Sequence, residues 1–112
     1  DFEVPYRGFM VGGLSGETKI PLDICDANTF HTIWLKYATE VRKLLKESKL
    51  SGVSYAVGTW IDKECIVFDV SEKVTHSRSA YALCKERNED AYYDVEASKS
   101  VFIEKDNDNA EA

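Results

Sequence analysis

The chain has 112 residues, of which 44% are apolar and 12% aromatic, and a formal net charge of −6. That is enough chain to bury one core, too little for two full domains, and too hydrophobic for a disordered polymer. The acidic balance argues against a general nucleic-acid binder, which needs Lys and Arg to neutralise phosphates, and no run approaches the roughly 20 apolar residues of a membrane span.

Taken in chain order, residues 2–12 (FEVPYRGFMVG) alternate as an extended edge segment, and GGLSGE supplies turn chemistry before a second strand, TKIPLDIC. Pro21 removes a ladder donor and marks that strand as an edge. Phe30, Ile33, Trp34, Tyr37, Ala38, Val41, Leu44 and Leu45 recur at three- and four-residue intervals. This spacing predicts one apolar stripe on a helix from Thr29 to about Lys49, capped by Asn28 and stopped near Gly52. Strands at about 53–61 and 64–71 follow, joined at Asp62-Lys63. A shorter helix at about 77–88 has Thr75 or Ser77 as its cap and Ala80, Leu83 and Cys84 as its buried edge. AYYDV and SVFIE form a last hairpin around Glu96 to Lys99, and the acidic residues 105–112 form a disordered tail. The expected fold is α+β, in the order ββαββαββ: one domain over residues 1–104, with a mixed or antiparallel sheet and both helices packed on one face.

Shifting the sequence by 46 positions sets Phe9 on Tyr55, Gly12 on Gly58, Ile20 on Ile66 and Asp23 on Asp69. This is consistent either with an internal ββα repeat or with two hairpins that merely share alternation. In both strands the aspartate points away from its apolar neighbours, off the core.

Asp23 and Asp69 together would suit acid/base work or a divalent cation, as in a small metal-dependent hydrolase or nuclease. Separately, each would bond backbone amides where a strand turns. Cys25 with His31, or Cys65 with His76, has the residue types of a thiol nucleophile and its base, but no surrounding signature, and the spacings do not match a zinc site. No phosphate-loop or dinucleotide motif occurs, so no cofactor or metal is expected. The odd cysteine count without CxxC spacing points to a reducing, cytoplasmic setting. Residues 36–49 hold five basic and two acidic groups, and Arg42, Lys46 and Lys49 share one helical face. That face would serve nucleic acid or an acidic partner, or remain solvated.

On the strand carrying Asp69, the same parity carries Cys65 and Val67, and the preceding strand offers Trp60 and Ala56. A sheet face with this composition is expected to be covered or to meet a partner. Trp60, Cys65, Val67, Asp69 and, from the last hairpin, Tyr92 form the candidate binding surface.

The stretch GTWIDKECIVFDVSEKV, the short helix, NEDAYYDV and SVFI resemble a pattern of small accessory α+β domains in bacteriophage and mobile-element proteins: a Gly-x-Trp strand, a DVS strand, an alanine-containing helix and an N-x-x-A-x-x-D strand. The resemblance covers the C-terminal half and implies a phage or mobile-element setting. It carries no catalytic residue onto Asp69, Asn88 or Asp94. The combined expectation is a non-catalytic, protein-binding accessory protein, for instance an acidic inhibitor of a host-defence or nucleic-acid-handling enzyme, able to pair with itself as a homodimer.

Overall fold

The computed structural model describes residue 5 and residues 7–48 and 54–104. Its six strands and two helices follow the expected order and form an antiparallel α+β structure. The expected acidic tail at 105–112, the helix end at Lys49 and Gly52, and most of the first edge segment before Arg7 lie outside the described residues.

The sheet is organised on one long strand, β4 (Cys65–Val74), whose flanks are treated differently. On one side, β3 (Tyr55–Asp62) pairs with it along its whole length, from Tyr55 opposite Glu72 to Asp62 opposite Cys65. The connecting turn is Lys63-Glu64, one residue later than expected, with Lys63 in the left-handed region at φ 60°. On the other side, two short strands share the edge. β2 (Thr18–Pro21) lies against Cys65–Phe68, and β1 (Phe9–Val11) lies against Glu72–Val74. Between them, residues 69–71 of β4 face the loop that joins β1 to β2. The sheet continues outward from β1 through β5 (Ala91–Asp94) to β6 (Lys99–Phe102).

This topology overturns the internal repeat. β3 and β4 make a hairpin, whereas β1 and β2 do not pair with each other and both add to β4. The second strand also stops sooner than its alternation implies. Pro21 has no N–H for the ladder, and Leu22–Ile24 coil into a short 3₁₀ turn anchored by the Leu22 amide on the Glu64 carbonyl at 2.8 Å. Asp23 sits in that turn, exposed, and Asp69 sits mid-strand, so the two are not equivalent.

Helix α1 (Ala27–Glu47) starts two residues before the expected point, because Asp26 rather than Asn28 is the cap: its carboxylate accepts the Thr29 amide at 2.8 Å. The helix α2 (Ser77–Arg87) is capped at His76 with no side-chain bond, so neither Thr75 nor Ser77 fills that role; it ends at Asn88, which turns left-handed at φ 59°. The apolar stripe of α1 packs as its spacing requires, with Tyr37 and Val41 buried on Phe68 and Val70, and Phe30, Ile33, Trp34, Leu44 and Leu45 around them. A second cluster joins α2 to the other half of the sheet through Val11, Ala80 and Cys84, with Phe9, Val74, Leu83 and Tyr92 beside them. Phe68, Val70 and Val74 share one parity of β4, so both helices cover the same face. The opposite face, bearing Cys65, Val67, Asp69 and Ser71, has no helix on it.

Candidate functional site

The uncovered face holds a cleft of about 820 Å³. Its floor is the odd-numbered side of β4, and its neighbours follow from the register: Trp60 and Lys19 flank Val67, Gly58 lies opposite Asp69, and Ala56 lies opposite Ser71. Further along, Tyr93 pairs with Met10 on one side and with Ser100 on the other, and Ala91 pairs with Phe102. Trp60 is 41% exposed, Tyr93 42% and Phe102 75%, whereas Val67 and Asp69 are buried. The cleft therefore has an aromatic rim and a closed floor.

Asp69 is the unusual group on that floor. At 2% exposure it is the one buried carboxylate among the described residues. Its Oδ2 accepts a long bond, 3.3 Å, from the Gly13 amide, and its Oδ1 has no hydrogen-bond partner. Glycines make room for it on both sides. A side chain begun at Gly58 would start 2.8 Å from Oδ1, and one begun at Gly12 would collide with Oδ2. Burial is the main reason its pKa is raised from 3.8 to about 7. The carboxylates of Glu89 and Glu17 push the same way, while the Gly13 amide and the Ser71 hydroxyl oppose them.

The loop that crosses the gap between β1 and β2 is fixed from the helix side. Arg87 donates to the Gly12 carbonyl at 3.1 Å and to Glu72 at 2.6 Å, and the Tyr37 hydroxyl donates to the Gly16 carbonyl at 2.9 Å. Leu14 from the same loop packs against the α1 cluster. The glycine-rich segment thus forms one wall of the cleft, held by both helices. Toward the far end, Lys19 pairs with Asp62 at 3.1 Å, an exposed contact with little weight in stability.

Of the five expected binding residues, Trp60, Val67, Asp69 and Tyr92 line this cleft, and Cys65 lies on the same face at the start of β4. Tyr92 reaches it from the side of β5 while its ring stands edge-on to Phe9, 5.6 Å between centroids, against the helix-covered cluster. Tyr93 joins it with its ring on the open face, because β5 meets β1 with Tyr93 opposite Met10. Gly12, Gly58, Ser71 and Glu89 are not marked by the sequence as parts of one site, although the 46-residue echo sets Gly12 on Gly58.

The alternative arrangements do not assemble. Pro21, just before Asp23's turn, pairs with Cys65, four residues along β4 from Asp69, so about 13 Å of strand already separates the two aspartates' ends of the sheet. Cys65 begins β4 and His76 follows its far end. Among the described residues no three His, Cys, Asp or Glu side chains converge as a metal-holding group, and no helix is long and apolar enough to cross a membrane. Lys36, Arg42, Lys43 and Lys46 are exposed on α1, across the sheet from the cleft, and Lys49 lies outside the described residues. No family model, no curated protein and no solved structure matches this chain.

Proposed function

We propose that the protein works by binding another protein through the open face of its sheet, without catalysing a reaction. One observation carries this reading: with both helices on the opposite face, Trp60, Tyr93 and Phe102 stand exposed around the cleft. Aromatic side chains give large contact area at small entropic cost, which is why they anchor protein interfaces. The occupant is a different protein rather than a second copy, because a chain of net charge −6 with carboxylates beside its cleft repels its own likeness. A phage or mobile-element origin, with a basic host enzyme as target, suits the resemblance of the C-terminal half and the acidic surface.

The test is capture from native-host extract, followed by binding measurements with the purified captured protein. Trp60→Ala and Phe102→Ala should each weaken that affinity at least tenfold while leaving the far-ultraviolet circular dichroism and melting curve near wild type. Hydrogen exchange should slow in β3, β5 and β6 on binding. Unchanged affinity in both variants, or sedimentation as a dimer protected on this same face, would overturn the reading.

A further inference from the structure

We infer that the outer edge of β3 is a docking edge for an extended strand of the partner protein, which joins the sheet antiparallel to β3 with apolar residues alongside Gly58 and Trp60. The inference rests on the protein-binding reading above and names the kind of segment the partner contributes.

The β3–β4 register says which backbone groups serve this edge. The Lys73 amide donates to the Ser54 carbonyl at 2.7 Å, and Ser54 immediately precedes β3, so these two residues form a hydrogen-bonded pair. Counted along the ladder from there, Ala56, Gly58, Trp60 and Asp62 bond to β4, while Tyr55, Val57, Thr59 and Ile61 turn their N–H and C=O groups outward. Among the described residues no strand pairs with that side of β3.

The other two edges of the sheet are blunted and this one is not. β2 has four residues, including Lys19 and Pro21, and β6 has four, beginning with Lys99. Short length, lysine and proline are what keep a sheet edge from pairing with another chain. β3 runs for eight residues with no proline, and its one charged residue is Asp62 at the end. Trp60 and Ile61 point to opposite faces of the sheet, yet both are exposed, so that end of the edge lacks cover on either side.

The side chains define what fits. A strand laid on this edge places every second residue on the open face, beside Ala56, Gly58 and Trp60 at the margin of the cleft. The small residues leave a flank of Trp60 open, and an apolar residue opposite Gly58 is the diagonal neighbour that reaches its ring. The intervening residues lie beside Val57, Thr59 and Ile61, where β-branched side chains pack well. A second copy of the chain would bring one net charge of −6 against another, whereas a strand from a basic protein meets attraction.

The test uses the intact, isotope-labelled chain and two peptides of one sequence, acetyl-Lys-Thr-Val-Thr-Phe-Thr-Val-Thr-Lys amide. In the first, the Val and Phe nitrogens are methylated, so that only the threonine edge can pair. In the second, the threonine nitrogens are methylated as well, so that neither edge can. The first peptide should shift the Val57, Thr59 and Ile61 amide signals with one common half-saturation and slow their exchange about tenfold. The amides of Ala56, Gly58 and Trp60, already bonded to β4, should change little, and the second peptide should do nothing. Thr59→Pro removes an outward donor without touching the β4 ladder, and it should abolish the first peptide's effect with the melting curve near wild type. The wild-type exchange pattern needs no variant to fold. The inference is overturned if the two peptides act alike, if no alternating protection appears, or if the peptide-free chain sediments as a dimer with those three amides already protected. If Trp60→Ala and Phe102→Ala weaken partner binding while the first peptide leaves the three amides unchanged, docking on the face stands and the strand edge falls. If the peptide protects the three amides while both variants bind the partner as wild type does, the edge stands and aromatic docking falls.

Discussion

Asp69 and Gly58 face each other across the β3–β4 ladder, and the carboxylate occupies the space that a side chain at Gly58 would need. Gly58→Ala would put a methyl group 2.8 Å from Asp69 Oδ1, closer than carbon and oxygen tolerate, and 3.0 Å from Ser71 Oγ, a tight contact. The expected loss is about 1–3 kcal/mol of unfolding free energy. In an Asp69→Ala background the same substitution should cost much less. Urea unfolding of the four members of this cycle reads the coupling directly.

Asp69 should make the protein less stable as pH rises. Its folded pKa, about 7, lies above the ordinary 3.8. The folded state therefore holds the proton more tightly than the unfolded state. The contribution is fully present below about pH 4 and is lost as pH rises through 7, a cost of about 4 kcal/mol in all. Between pH 5 and pH 8, wild type should lose about 2.5 kcal/mol more than Asp69→Asn. Parallel urea curves at the two pH values check this, and equal slopes for both proteins would reject it.

Tyr37 links the long helix to the wall of the cleft. It is 2% exposed, donates to the Gly16 carbonyl at 2.9 Å and shares a bond of 2.6 Å with the Thr18 hydroxyl. Tyr37→Phe keeps the ring on Phe68 and strands one acceptor, the Gly16 carbonyl, and one donor, the Thr18 hydroxyl, so a loss of about 1–2 kcal/mol is expected. Amide exchange should quicken from Gly13 to Thr18 more than within α1.

The three thiols should divide two to one. Cys84 is fully buried under α2, and burial, aided by Glu89 and opposed by Arg87, pushes its pKa up to about 11. Cys25 and Cys65 are half-buried. An aromatic disulfide reagent at pH 8 should titrate two thiols in native protein and the third only in denaturant. Rapid reaction of all three would contradict the packing of Cys84.

The sequence made the local elements legible and left their partners hidden. The α1 stripe was readable because little besides an amphipathic helix produces a 3.6-residue period over twenty positions. The β3–β4 hairpin was readable as two alternating strands about a tight turn, but the turn falls at Lys63-Glu64, one residue later than expected, which moves the pairing by two residues. Nothing local says that β1 and β2 both add to β4, since that pairing joins residues such as Val11 and Glu72 far apart in sequence. The same gap hid Tyr93: in AYYD both Tyr92 and Tyr93 fit a strand, and only the register against β1 decides which ring lies on the open face. Asp69 is recognisable as lying off the helix-side core, yet not as buried, because its cover comes from Gly12 and Gly13, across that same long separation. The Gly12/Gly58 echo was a real signal misattributed: the two glycines are not copies in a repeat but the two sides of one carboxylate's berth.

The split edge of β4 also bears on the order of folding. β3 meets β4 after a two-residue turn and can form within microseconds, whereas β1 must find β4 across about sixty residues of chain. The floor of the cleft therefore belongs to the early hairpin, and its glycine wall arrives with the late, long-range contacts. Until that arrival Asp69 is hydrated and its charge is harmless; the closing step is the one that must dehydrate it. Mild acid should thus speed the last phase of folding, because a neutral carboxyl gives the incoming strands nothing to strip of water.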